Sequence, residues 1–178
     1  MAQERDREGE FDVFYRAYAG DVKAYCLRRA DASLAEDALA ETFEIAWRRW
    51  NDIPSQPKAW LLGVARRVLA NRRRAETRQR ALAERIAAQP LAEDAAEEGP
   101  PVLEALRRLT PLDQEALRLA AWEELTSREA AQVLGCSPVA FRIRLLRARR
   151  RLARVLSELN EHAEESNGAL VRMEETRP

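Results

Sequence analysis

Two cysteines, Cys26 and Cys136, and one histidine, His162, are all that this chain of 178 residues offers in thiol and imidazole chemistry. A disulfide framework is excluded, and no Cys/His cluster remains for structural zinc, so neither metal nor cofactor is expected. Aromatics are sparse at 6%. Long apolar runs are missing too: the longest, 59–65, falls far short of the ~20 residues a membrane-spanning helix needs. The opening MAQERDREGE lacks the apolar core of a secretion signal, so a cytoplasmic address and no membrane insertion are expected. There is also no P-loop, no HExxH and no nucleophile elbow, which removes the common signatures of an enzyme.

Charge is plentiful, at 34% of residues, yet sums to zero, with 30 basic and 30 acidic side chains. That balance argues against an anionic partner only until position is considered. Residues 51–80 carry +6 and 126–156 carry +7, whereas 1–50, 81–104, 105–125 and 157–178 carry −3, −5, −1 and −4. Two basic blocks therefore alternate with acidic ones. Only Lys23 and Lys58 are lysines. Arginine's planar fork suits phosphates and guanine edges, although Arg-rich and Ala-rich usage also follows from base composition.

The patterned segments have helical period and none alternates as a strand does, so the fold class is all-α with two small helical domains. Helices are expected at 10–29, at 35–50 with Ser33 as cap, and at 58–80, with a proline-bearing break at 51–57. Residues 81–101 are small, acidic and proline-bearing, which reads as a flexible linker between a first domain at 10–80 and a second at 102–156. The acidic tail, 157–178, is expected to be partly disordered, with ALVRM able to extend a helix.

The segment TSREAAQVLGCSPVAFRIRLLRARRRL has the layout of a helix-turn-helix. Gly135 stands at the bend, Ser137 caps the second helix and Pro138 occupies its first position. Phe141, Leu145, Ala148 and Leu152 fall within about 60° of one another on the wheel and form a core stripe. The opposite side presents Ile143, Leu146, Arg147 and Arg150, flanked by Arg142 and Arg149, a set able to read bases, hold phosphates and touch thymine methyls. A solvated basic helix is the bland alternative, but Ile143 and Leu146 amid arginines fit it poorly. Cys136, in the turn, reads as a small buried apolar residue.

In the first domain Leu39, Phe43, Ala46 and Trp50 share one helix face, while Asp37, Glu41 and Glu44 gather opposite with Arg48. In the next helix Trp60, Leu61, Val64, Ala65 and Val68 pack, and Arg66, Arg67, Arg73 and Arg74 share the other side with Gly63 and Ala70, small residues that let a phosphate backbone approach. Trp60 at the head of an apolar stripe reads first as core and second as a stacking platform for a base. Asn71 edges the basic face and suits a base or a phosphate.

In this order the pieces resemble the extracytoplasmic-function (ECF, group IV) sigma factors of bacterial RNA polymerase, over residues 10–156. FDVFYRAYAGDVKAYCLRR resembles the family's first helix, AEDALAETFEIAWRRW its core-binding helix and PKAWLLGVARRVLANRRR its −10 recognition helix. The stretch from LEALRRLTPLDQEALRL to RIRLLRARRRL resembles its −35-binding domain, with departures at Ala140-Phe141 and Ile143. The resemblance implies that Asp37, Glu41 and Glu44 dock on the β′ clamp helices of core polymerase. It implies that the 51–57 loop, through Asn51, Asp52 and Ser55, captures the melted non-template −10 strand and a flipped base together with Trp60, Arg66, Arg67, Asn71 and Arg74. The linker would thread the polymerase channels, and the second domain would sit on the β flap with Arg142, Ile143, Leu146, Arg147 and Arg150 in the −35 major groove. An anti-sigma factor is an implied partner, and the free protein is expected to be a monomer. The rival reading is a one-component helix-turn-helix regulator binding palindromes as a dimer, which leaves the basic third helix and the linker without a task.

Overall fold

A computed structural model describes residues 2–86 and 100–175. Among them the chain forms seven α-helices and one 3-10 turn, with no strand: α1 Ala2–Leu27, α2 Ala32–Arg48, the turn Trp50–Asp52, α3 Pro57–Ile86, α4 Pro101–Arg107, α5 Pro111–Ala121, α6 Ser127–Leu134 and α7 Pro138–Glu175. The all-α expectation holds. No helix among the described residues is long and apolar enough to cross a membrane.

Several boundaries differ from the sequence reading. Helix α2 starts three residues early because Asp31, not Ser33, is its cap: the Asp31 carboxylate accepts from Leu34 N–H at 2.9 Å. Asp and Ser are similar caps, and backbone geometry at 31 decides between them. Helix α3 runs six residues past Arg80 into the segment read as linker, whose remainder, 87–99, lies outside the described residues. Helix α7 carries on through the tail to Glu175, where partial disorder was expected and only ALVRM was read as able to extend a helix. In both places Ala, Glu, Leu and Arg follow an established helix without proline, and adding residues to a helix costs far less than starting one.

The helices divide into two compact units. The first holds α1, α2 and α3, with Arg128–Cys136 counted in it. Its core takes Val22, Tyr25 and Cys26 from α1, Ala35, Ala38, Leu39, Phe43 and Ala46 from α2, and Leu61, Leu62, Val64, Ala65 and Val68 from α3. Buried Thr42 satisfies its hydroxyl by donating to Ala38 O at 2.6 Å. At one end an aromatic group closes the core: Phe11 meets Trp47 edge-on at 5.0 Å, Phe14 meets Trp50 at 5.2 Å and Tyr15 meets Phe43 at 4.7 Å. Arg7 lies over the Trp47 ring at 4.4 Å and donates to Trp47 O.

The second unit comprises α4, α5 and α7. Ala105, Leu106, Leu109, Leu117, Ala148 and Val155 are buried together, with Leu145, Leu152, Leu156 and Leu159 packed against them. Thr110 caps α5 by accepting from Asp113 N–H at 3.3 Å, and Pro111 takes the first helical position. The start of the tail thus belongs to the core of this unit, since Leu159 lies beyond the expected boundary at 156.

Candidate nucleic-acid interface

The turn before α7 is built as its sequence suggests. Gly135 has φ +68°, Cys136 N–H reaches back to Ala131 O at 3.0 Å and Gly135 N–H to Gln132 O at 3.3 Å, the paired bonds of a Schellman stop. Ser137 Oγ then accepts from Ala140 N–H at 3.1 Å and opens α7. Phe141 and Ala148 are buried, Leu145 and Leu152 half-buried, and Arg142, Ile143, Leu146, Arg147 and Arg150 all exposed, Ile143 at 46% and Leu146 at 50%. The five residues expected to read DNA therefore lie together on solvent. Cys136 is exposed, not buried as read from its residue type, because the turn points outward.

Beside this face the structure adds residues that the helical wheel did not single out. A cavity of about 410 Å³ is lined by Asp113, Ala140, Ile143, Arg144, Arg147 and Arg151. Asp113 is buried and accepts from Arg151, which fixes that guanidinium at the cavity wall. Positions 140, 143, 144, 147 and 151 are one stripe at helical spacing, a visible signal. The carboxylate from α5 that completes it is 38 residues distant.

In the first unit the expected −10 residues are less uniform. Asn51, Asp52, Ser55, Arg67, Asn71 and Arg74 are exposed, while Trp60 and Arg66 are half-buried. Asp52 pairs with Arg49 at 3.1 Å, and the Arg49 guanidinium lies 5.7 Å from the Trp60 ring centre. Arg74 donates to Asn71 Oδ1 at 2.8 Å. Arg73, read as part of the basic face, turns back to donate to Arg29 O. Gly63 is buried, not a gap between exposed arginines: a Cβ there would stand 3.7 Å from the Val133 backbone. Next to the loop lies a cavity of about 300 Å³ lined by Phe14, Tyr18, Trp50, Ile53, Pro54, Ser55 and Pro57. Aromatic walls and a half-open mouth suit an unstacked base. Phe14 and Tyr18 belong to α1, outside the loop and the basic helix that the sequence singled out.

The acidic face of α2 is present, with Asp37 and Glu44 exposed and Glu41 half-buried. It is not unpartnered. Arg72 of α3 donates from Nη1 to Asp37 at 2.9 Å and from Nε to Glu41 at 3.0 Å, and Glu44 pairs with Arg48 at 3.5 Å. Two carboxyl and amine shifts lie elsewhere. Lys23 is raised by its hydrogen bond and ion pair with Glu36, and Glu104 is lowered chiefly by the Arg108 hydrogen bond.

Two helical units, each with an arginine-rich face, together with the glycine stop at Gly135 and the Ser137 cap that opens α7, define a bipartite nucleic-acid-binding class of protein. Residues 14–79 match Sigma-70 region 2 and residues 101–152 match Sigma-70, region 4, together well over half of the chain. The chain belongs to the sigma-70 family. It is 32% identical over 170 residues to the ECF RNA polymerase sigma factor BldN of Streptomyces coelicolor, with 87% of this chain aligned. It spans 64% of that relative's length. In fold it is similar to the sigma factor RpoE, solved with the anti-sigma factor NepR from Bartonella quintana, at a TM-score of 0.65 and 22% identity over 83% of this chain and 97% of that one. CnrH, solved with the cytosolic domain of CnrY, gives a TM-score of 0.60 at 22% identity over 85% and 90%.

Proposed function

We propose that this chain is a group IV sigma factor that binds core RNA polymerase in the cytoplasm and directs promoter-specific initiation. The observation that carries the reading is the order of three faces on helices matched to regions 2 and 4: acidic α2, basic α3 with its loop cavity, and the exposed arginines of α7. Residues 10–80 bind core polymerase and the −10 element, 81–101 link, 102–156 bind the −35 element, and 157–178 extend the second domain. Asp37, Glu41 and Glu44 meet the β′ clamp helices. Asn51, Asp52, Ser55, Trp60, Arg66, Arg67, Asn71 and Arg74 hold the melted strand, with the loop cavity receiving a flipped base. Arg142, Ile143, Leu146, Arg147 and Arg150 enter the −35 major groove beside the β flap.

Division of recognition between two sites makes tight binding depend on polymerase holding both at the right span, because effective concentration collapses when both cannot engage. RpoE's solution with NepR supports an anti-sigma factor as a further partner here. The test is co-elution of the purified protein with core RNA polymerase on a sizing column, with the free protein's mass recorded. A stoichiometric complex formed by a monomer is expected; a dimer that ignores polymerase would return the function to a one-component regulator.

A further inference from the structure

We propose that Arg72 couples polymerase docking to promoter capture by exchanging its guanidinium between the Asp37–Glu41 carboxylates and a DNA phosphate. The inference rests on the sigma-factor reading of α2 and α3 above.

Three observations carry it. First, one side chain holds both acids: Nη1 lies 2.9 Å from Asp37 Oδ2, and Nε and Nη2 each lie 3.0 Å from Glu41 Oε2. Asp37 and Glu41 are one turn apart on α2, so the planar fork spans the centre of the docking face. Second, Arg72 occupies α3 between Asn71 and Arg74, two residues of the proposed strand-binding face, and so stands at the edge of that face. Arg73 donates to Arg29 O, and Arg74 donates to Asn71 Oδ1 at 2.8 Å and to Ala70 O at 3.2 Å. Third, the grip is open to solvent: the Arg72 and Glu41 side chains are each 35% exposed and that of Asp37 59%, so screening weakens the Asp37 pair most.

A basic polymerase surface that takes over Asp37 and Glu41 therefore competes with Arg72 directly. Once displaced, the guanidinium stands at the edge of the −10 face, where a phosphate offers the next bidentate acceptor. Linkage requires the converse: a strand that holds Arg72 leaves the carboxylates bare and tightens docking by the same factor.

The experiment compares the full chain with Arg72→Gln and Arg72→Lys for affinity to core polymerase, with and without a single-stranded −10 oligonucleotide, over a salt series. In Arg72→Gln, docking without DNA is expected to tighten about two- to tenfold, and the gain from the oligonucleotide to shrink. The salt slope of oligonucleotide binding by the polymerase complex should fall by about 0.7, the loss of one phosphate contact on a single strand. Arg72→Lys keeps the charge without the fork, so its docking should tighten while its salt slope stays at the wild-type value. If both variants dock more weakly and neither changes the slope, Arg72 is a brace between α2 and α3 and the proposal is overturned. A wild-type chain that never binds polymerase would instead overturn the sigma-factor reading, a distinct outcome in the same assay.

Discussion

Replacing Gly135 isolates the energy of a single backbone torsion. Gly135 has φ +68°, and a Cβ built there meets nothing within 4 Å, so alanine introduces no clash and the cost is torsional alone. An L-residue in the left-handed region costs about 1–2 kcal/mol. The narrower unfolded ensemble of alanine returns about 0.4–1 kcal/mol. The net destabilisation expected for Gly135→Ala is therefore roughly 1 kcal/mol. With a urea slope of about 2 kcal/mol/M, the midpoint should fall by about 0.5 M at unchanged slope. Asn tolerates this region, so Gly135→Asn should cost less than alanine, and β-branched Gly135→Val should cost more. Urea titrations followed by far-ultraviolet circular dichroism rank the three. A cost of 3 kcal/mol or more for alanine, or an asparagine worse than alanine, would refute the reasoning, since either requires crowding that the open space around Gly135 denies.

Arg147→Ala should weaken −35-dependent promoter binding by the polymerase complex by about 1–3 kcal/mol while leaving polymerase affinity intact, as gel shifts and co-elution will report. Asp31→Ala should cost about 1 kcal/mol in a thermal or urea melt, whereas Ser33→Ala should stay within about 0.5 kcal/mol, because only Asp31 caps α2. A thiol reagent should modify one cysteine promptly in the native protein, Cys136, and reach Cys26 only on unfolding; two fast thiols would contradict the buried position of Cys26.

What could be read in the sequence was local. Helix identity, the stop at Gly135, the cap at Ser137 and the exposed stripe of Ile143, Leu146 and Arg147 follow from spacing within one helix and its turn, and the structure repeats them. What could not be read joins distant residues. Nothing in the spacing of α3 says that Arg72 reaches Asp37 and Glu41, which stand 35 and 31 residues earlier. Nor does α5 announce that Asp113 will meet Arg151. The Phe14 and Tyr18 rings serve the core on one edge and the loop cavity on the other, a double duty that a helical wheel assigns to one side only. Errors of extent at α3 and α7 have another source: composition that lacks apolar residues looks disordered, yet Glu, Ala and Arg still carry a helix onward.

The exposed pair Ile143 and Leu146 has a consequence for the protein in bulk solution. Side chains of this kind on a free surface are adhesive, and a chain with no net charge has no global repulsion to keep copies apart. Arg142, Arg147, Arg149 and Arg150 surround the pair, and two such helix faces repel each other at close range. These arginines thus act as gatekeepers against self-association, and the gate weakens as ions screen it. Concentrated stocks should stay clearer in moderate than in high salt, and the same screening that loosens the protein from DNA would then draw its own copies together.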